Sequence, residues 1–229
     1  VFYSADITIV NPMWRQVFDP TAAARVLDPD HDRLGGCLGA GWIQTSPDDT
    51  LLFHAIIGRK PGALGPADPG VPKMVYALDI RSLVAVPPAE WTVENASVCT
   101  ISERDEVFEG GFEPSCPGAT GAVRIDDASS FGGPHWGAID NFSLAPPGGR
   151  ISTVTRIAAS NYFVARSGIN GDHRICMINV GSDGRLSLDS GFRDENSGES
   201  CVNFDRMDWP HGAEGSAKPH SMLFITPSS

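Results

Sequence analysis

Two stretches of this chain open alike. Gly-Gly-Pro-His-Trp-Gly-Ala-Ile-Asp-Asn begins at Gly132, and Ala-Lys-Pro-His-Ser-Met-Leu-Phe-Ile begins at Ala217. In each, a histidine follows a proline and leads straight into a run of strand-forming residues. His135 and His220 therefore read as equivalent positions in successive repeats, which constrains the chain to an architecture of like units. A ring of such units collects equivalent side chains around its axis. Histidines collected in that way point to a metal.

The residues between these marks read as strand after strand. Residues 1–7 and 14–18 are short strand candidates, and the alanines within 21–27 favour a helical turn. The clearest unit follows. Residues 41–46 (Gly-Trp-Ile-Gln-Thr-Ser) are a strand, Pro47-Asp48-Asp49 a turn, and 50–58 a buried strand. Residues 74–80 (Met-Val-Tyr-Ala-Leu-Asp-Ile) are a third strand, and 90–95 a fourth after a Pro-Pro stop. Further on, 135–143 reads as an inner strand, 151–157 and 161–167 as strand-like, and 173–180 as the next strand. Gly181-Ser182-Asp183-Gly184 is a hairpin turn into an outer strand over 185–189. Residues 201–210 cross over, and 219–225 start another inner strand.

Strand, Ser-Pro-Asp-Asp turn, strand, then a strand ending in Leu-Asp-Ile is the profile of a β-propeller blade. The expectation is an all-β chain, 1–229, that supplies roughly half of a β-propeller ring. It divides into a partial blade (1–19), a blade at about 37–95, an irregular insertion or degenerate blade (97–130), a blade at about 132–192, and a crossing loop with the next inner strand (193–229). The remaining blades are expected from an upstream segment or a companion chain, since the sequence begins at Val1 and in the middle of a blade. A β-sandwich has a similar strand count, but it does not account for the repeated Pro-His strand start.

Composition narrows the partners. With 28 acidic against 17 basic residues the formal net charge is −11, which repels nucleic acid and anionic membranes. Neither is an expected partner; a small-molecule substrate is, and oligomerisation stays open. No apolar run approaches the roughly 18–20 residues that span a bilayer. Of the five cysteines none forms a Cys-x-x-Cys pair, which argues against a structural zinc knuckle. Cys99 with Cys116, and Cys176 with Cys201, would close loops in an oxidising compartment. Free cysteines buried as small hydrophobes are the alternative, so the compartment is open between periplasmic or secreted and cytoplasmic.

Six histidines are the candidates for chemistry. His135 and His220 lead as metal ligands, because innermost strands line a propeller's channel and neutral imidazole suits a borderline metal. The competing reading is that Pro-His merely turns the chain into a strand. His211, in Asp208-Trp209-Pro210-His211-Gly212, is a candidate catalytic group or third ligand, with a loop anchor as the alternative. His54 sits inside an apolar strand, where a hydrogen-bonded core histidine competes with a channel-facing metal ligand. His31 reads as a surface residue and His173 as structural. Asp140 satisfies a turn rather than a metal, Lys218 is solvent-exposed, and Glu199 and Asp205 cap the crossing loop. Asn95-Ala96-Ser97 and Asn141-Phe142-Ser143 match the glycosylation pattern, which is weak evidence by itself. Gly-x-Ser-x-Gly, Walker, His-Glu-x-x-His and dinucleotide-binding signatures are missing from the sequence.

The Pro-His strand starts, the Ser-Pro-Asp-Asp turn and the Leu-Asp-Ile strand end resemble the selenium-binding protein family, which includes methanethiol oxidases. The likeness covers about two blades. It implies a seven-bladed propeller, a histidine-bound transition metal with copper favoured over iron, and oxidation of a small thiol by oxygen. His135 and His220 carry over, with His211 behind them; the family's paired-histidine and cysteine-bearing N-terminal motifs are not found in this sequence. A non-catalytic propeller with structural histidines is the reading from another class, and a lactonase-like or lyase-like propeller enzyme is a third.

Overall fold

Alternation of apolar and polar residues with a period of two places one face of each strand against a partner sheet. The computed structural model of the protein describes residues 2–4, 7–12, 14–16, 18, 40–58, 62, 65–67, 73–85, 118–125, 133–140, 153–162 and 173–225. These residues are all-β apart from one short helix, α1, Arg81–Ala85. The predicted helical turn at 21–27, the strand at 90–95, Cys99, Cys116, His31, Asn95 and Asn141 lie outside them.

Strands β1 (Phe2–Tyr3) and β2 (Arg15–Gln16) pair antiparallel. The first large sheet is an antiparallel meander of β3 (Ala40–Thr45), β4 (Leu51–Ile56), β5 (Met74–Asp79) and β6 (Ala119–Arg124), ordered as in the chain. The second repeats that order with β7 (Gly133–Ile139), β8 (Arg156–Tyr162), β9 (Arg174–Val180) and β10 (Leu186–Leu188). A short β11 (Val202–Asn203) returns to β9, and β12 (Asp208–Trp209) with β13 (Gly212–Ala213) forms a hairpin.

The β3–β4 turn shows why the sequence folds there. Ser46 Oγ donates to Asp48 Oδ1 at 2.7 Å, and Asp48 Oδ1 accepts from Thr50 Oγ1 at 2.8 Å. Leu51 N in turn donates to Ser46 Oγ at 2.9 Å. Side chains thus satisfy the turn that the backbone leaves open. At the far end of the second sheet, Gly184 takes φ 82° and closes the β9–β10 hairpin.

The two sheets face each other across one core. Trp42, Phe53, Val75 and Val123 come from the first, and Ile139, Ile157, Cys176 and Ile178 from the second. First strand lies on first strand, β3 on β7, and last on last, β6 on β10. The approach is close because glycine permits it. A β-carbon on Gly121 would stand 2.5 Å from the Gly184 carbonyl oxygen. The other face of the first sheet is also covered: Phe18 meets His54 at 5.7 Å and Tyr76 at 5.6 Å between ring centroids.

Three expectations are corrected. The strand next to β5 is β6, drawn from the segment 97–130 that reads as an insertion or degenerate blade. Pairing across so long an intervening stretch leaves no local sequence mark. The two strand-like segments at 151–157 and 161–167 are joined, over the described residues, in one strand, β8, across Arg156–Tyr162. Its small residues Ala158, Ala159 and Ser160 are buried, so packing rather than intrinsic β-propensity keeps it extended. Residues 219–225 form no ladder. A strand-forming pattern becomes a strand only beside a free edge, and this segment lies instead against the end of β8.

Candidate functional site: a histidine pair at the end of β8

Ladder register dictates where His135 points. Pro134 pairs with Asn161 and Trp136 with Ser160, so His135 is the extra residue of a β-bulge between them. A bulged residue leaves the ladder and its side chain is re-aimed. The imidazole is half-buried, and its Nδ1 is enclosed without a hydrogen-bond partner. Burial of the ring, with His220 beside it, holds His135 below the ordinary imidazole range. The ring is therefore neutral at neutral pH, with a lone pair to offer.

His220 arrives on a segment with no ladder of its own, and specific bonds route it. The Cys176–Cys201 disulfide and β11 fasten the chain to β9. Phe204 N donates to the His173 carbonyl at 3.0 Å, and Ala217 N to the Phe204 carbonyl at 2.9 Å. His173 Nδ1 donates to the Ala217 carbonyl at 2.7 Å, the structural role the sequence assigns to His173. Finally Ser160 Oγ donates to the His220 carbonyl at 3.1 Å.

The outcome is that the two sequence-marked histidines meet. Their ring centroids are 4.9 Å apart, with planes inclined by 33°. Tyr162 covers both, 4.4 Å from His220 at 66° and 5.6 Å from His135 at 57°. Trp136 lies 6.5 Å from His220. Two imidazoles on one metal, with metal–nitrogen bonds of about 2.0–2.1 Å and centroids about 1.2 Å behind nitrogen, have centroids about 4.5–5.3 Å apart for ligand angles near 90–110°. The pair fits that span, and the unpartnered Nδ1 fits a borderline-metal donor.

The other candidates do not join it. Among the described residues no three His, Cys, Asp or Glu side chains converge as a metal would require. His54 is 4% exposed, and its Nδ1 donates to the Trp42 carbonyl at 3.1 Å. Burial drives its pKa down to about 4. Strand alternation places it opposite Phe53 and Ala55, against Phe18, so it has the core role and not that of a ligand beside His135. His211 sits exposed at the turn of the β12–β13 hairpin, 6.2 Å from the Trp209 ring. The specific look of Trp-Pro-His-Gly has a folding cause: Trp209 Nε1 donates to the Gly215 carbonyl at 2.9 Å, and Arg206 lies 4.1 Å over the indole. Asp140 accepts from Thr155 N and Arg156 N, each at 2.8 Å, and so ties the end of β7 to the start of β8.

Sequence reading missed Ser160 and Tyr162. Their signal was positional: Tyr162 faces Gly133 and Ser160 faces Trp136, the residues that flank the Pro-His step in the antiparallel pair. No helix of the described residues is long and apolar enough to cross a membrane. Comparison of the chain with family models, curated proteins and solved structures finds no match.

Proposed function

We propose that the chain is part of a β-propeller oxidoreductase that holds a transition metal, copper rather than iron, between histidines near the ring axis. The substrate class is a small thiol-type molecule oxidised with oxygen. The observation that carries this reading is the meeting of His135 and His220, from separate Pro-His segments, with one ring nitrogen buried and unpartnered. The stacked meanders support the propeller: β3 lies on β7, β6 on β10, and Phe18 packs on the opposite face of the first sheet, where a further blade would lie. A sandwich ends at two layers.

His135 and His220 would hold the metal, and other blades, on this chain or a companion, supply the remaining ligands. When bound, such a metal supplies an open coordination position and one-electron redox chemistry. The chain's own residues keep His135 neutral by burial and wall one side of the pair with the Tyr162 ring.

Metal analysis of the purified protein tests the reading. A stoichiometric transition metal in the wild type, absent from His135→Ala and from His220→Ala, is the expected result. A metal-free wild type sinks it. The non-catalytic propeller is the second reading, favoured by the packing of Tyr162 on both rings, which gives the histidines a structural role. It predicts metal-free protein whose stability falls in either histidine variant.

A further inference from the structure

Neither histidine is held by the strand that carries it. His135 occupies a bulge outside the ladder, and His220 a segment without one. Both are instead contacted by the end of β8. Ser160, wholly buried, directs its hydroxyl at two carbonyls: Trp136, next to His135, at 3.3 Å, and His220 at 3.1 Å. Two positions on, Tyr162 packs its ring against both imidazoles.

We propose that Ser160 and Tyr162 are the positioning residues of the His135–His220 pair, the hydroxyl setting the separation of the two backbones and the aromatic ring setting the orientation of the two imidazoles. An imidazole rotates about two side-chain bonds, and a ligand pair free to rotate loses that freedom when a metal binds. Packing that fixes the rings beforehand removes part of that cost. A serine hydroxyl has one proton, so it reaches both carbonyls as a shared, three-centre contact that ties the two segments to one point. The observed packing of Tyr162 is made by its ring, so phenylalanine at this position preserves the function and an aliphatic residue does not. The effect on metal affinity rests on the metal-binding reading above; the effect on the pairing does not.

The test uses the full chain and the variants Tyr162→Phe, Tyr162→Leu and Ser160→Ala. The first measurement, without added metal, is the nuclear Overhauser effect between imidazole protons of His135 and His220. The second is Cu²⁺ affinity against a competing chelator, with the ligand-field spectrum. Wild type and Tyr162→Phe are expected to show the Overhauser effect and bind alike. In Tyr162→Leu the effect is expected to vanish, the spectrum to shift and Cu²⁺ to bind roughly 10–100-fold more weakly, as follows from removal of ligand-orienting groups. Ser160→Ala is expected to weaken the Overhauser effect and the affinity in the same direction. An undiminished Overhauser effect in both Tyr162→Leu and Ser160→Ala overturns the inference. If the effect vanishes in Tyr162→Leu while the wild type takes up no Cu²⁺, the positioning role stands and the metal reading alone is overturned.

Discussion

Gly41 lies against the backbone of His135: a β-carbon on Gly41 would stand 2.8 Å from His135 Cα and 2.5 Å from the Pro134 carbonyl oxygen. Both residues occupy the same step of their sheets. The β3–β4 register slips between Ala40 and Trp42, as the β7–β8 register slips between Pro134 and Trp136. One bulge nests on the next, and glycine in the first lets the backbone of the second approach this closely.

Gly41→Ala therefore forces the β7 bulge to move. Overpacking of this kind costs about 1–3 kcal/mol. The unfolding midpoint in urea is expected to fall accordingly, and the Overhauser effect between the His135 and His220 rings to weaken. A midpoint and an Overhauser effect equal to those of the wild type would show that the two bulges are not coupled.

Next along the same strands, Trp42 rests on Gly137. A β-carbon there would come within 2.7 Å of the indole Cδ2 and Cε3 atoms. Trp42 is 8% exposed and stacks on Phe53, so it has little room to retreat. Gly137→Ala is expected to destabilise by about 1–3 kcal/mol. Shortening the partner makes room: in the double variant Gly137→Ala with Trp42→Leu the destabilisation should be smaller than the sum of the two single effects. Simple additivity in a double-mutant cycle would deny this packing its role.

Much of this arrangement was legible in the sequence, and the remainder was hidden for physical reasons. The strands at 41–46, 50–58, 74–80 and 173–180, with their turns, follow from alternation and turn chemistry, which are local. The repeated Pro-His pattern marked both His135 and His220, but it read His220 as the start of a strand, whereas the contact between the two rings is made by a segment that forms none. By contrast, β6 pairs with β5 across a long intervening stretch, and nothing near Ala119 marks that partner. The small residues at 158–160 split β8 into two expected segments, and neither Ser160 nor Tyr162 carried a mark that joined it to the histidines. His54 stayed open between a core histidine and a channel-facing ligand, because alternation separates its face from that of Phe53 and Ala55 but does not say which face meets the second sheet.

The Cys176–Cys201 disulfide fastens the route to His220. Cys176 is fully buried on β9, and Cys201 immediately precedes β11. The bond closes a loop with a sequence separation of 25. Loop-closure entropy for about 25 residues corresponds to about 3–4 kcal/mol. The variant Cys176→Ala with Cys201→Ala is expected to be less stable by that amount in chemical denaturation. It should also exchange backbone amides faster across 202–220 than elsewhere. Uniform exchange along the chain would mean that the β11 ladder and the His173 bond hold the segment unaided.

His54 gives the fold a pH dependence of definite sign. Burial lowers its pKa from 6.5 to about 4, against the opposing effect of its bond to the Trp42 carbonyl. Between those values the unfolded chain binds a proton that the folded chain refuses, so stability rises with pH across this interval. The contribution is complete above about pH 6.5 and is lost as pH falls toward 4. At 1.36 kcal/mol per unit, the full swing is roughly 3 kcal/mol. Urea unfolding at half-unit steps across that interval should trace the slope in the wild type. In His54→Gln, whose side-chain amide still donates but does not titrate, the slope over this interval should flatten by roughly the same amount. An unchanged slope would assign the acid sensitivity to other groups and place the His54 ring within reach of water.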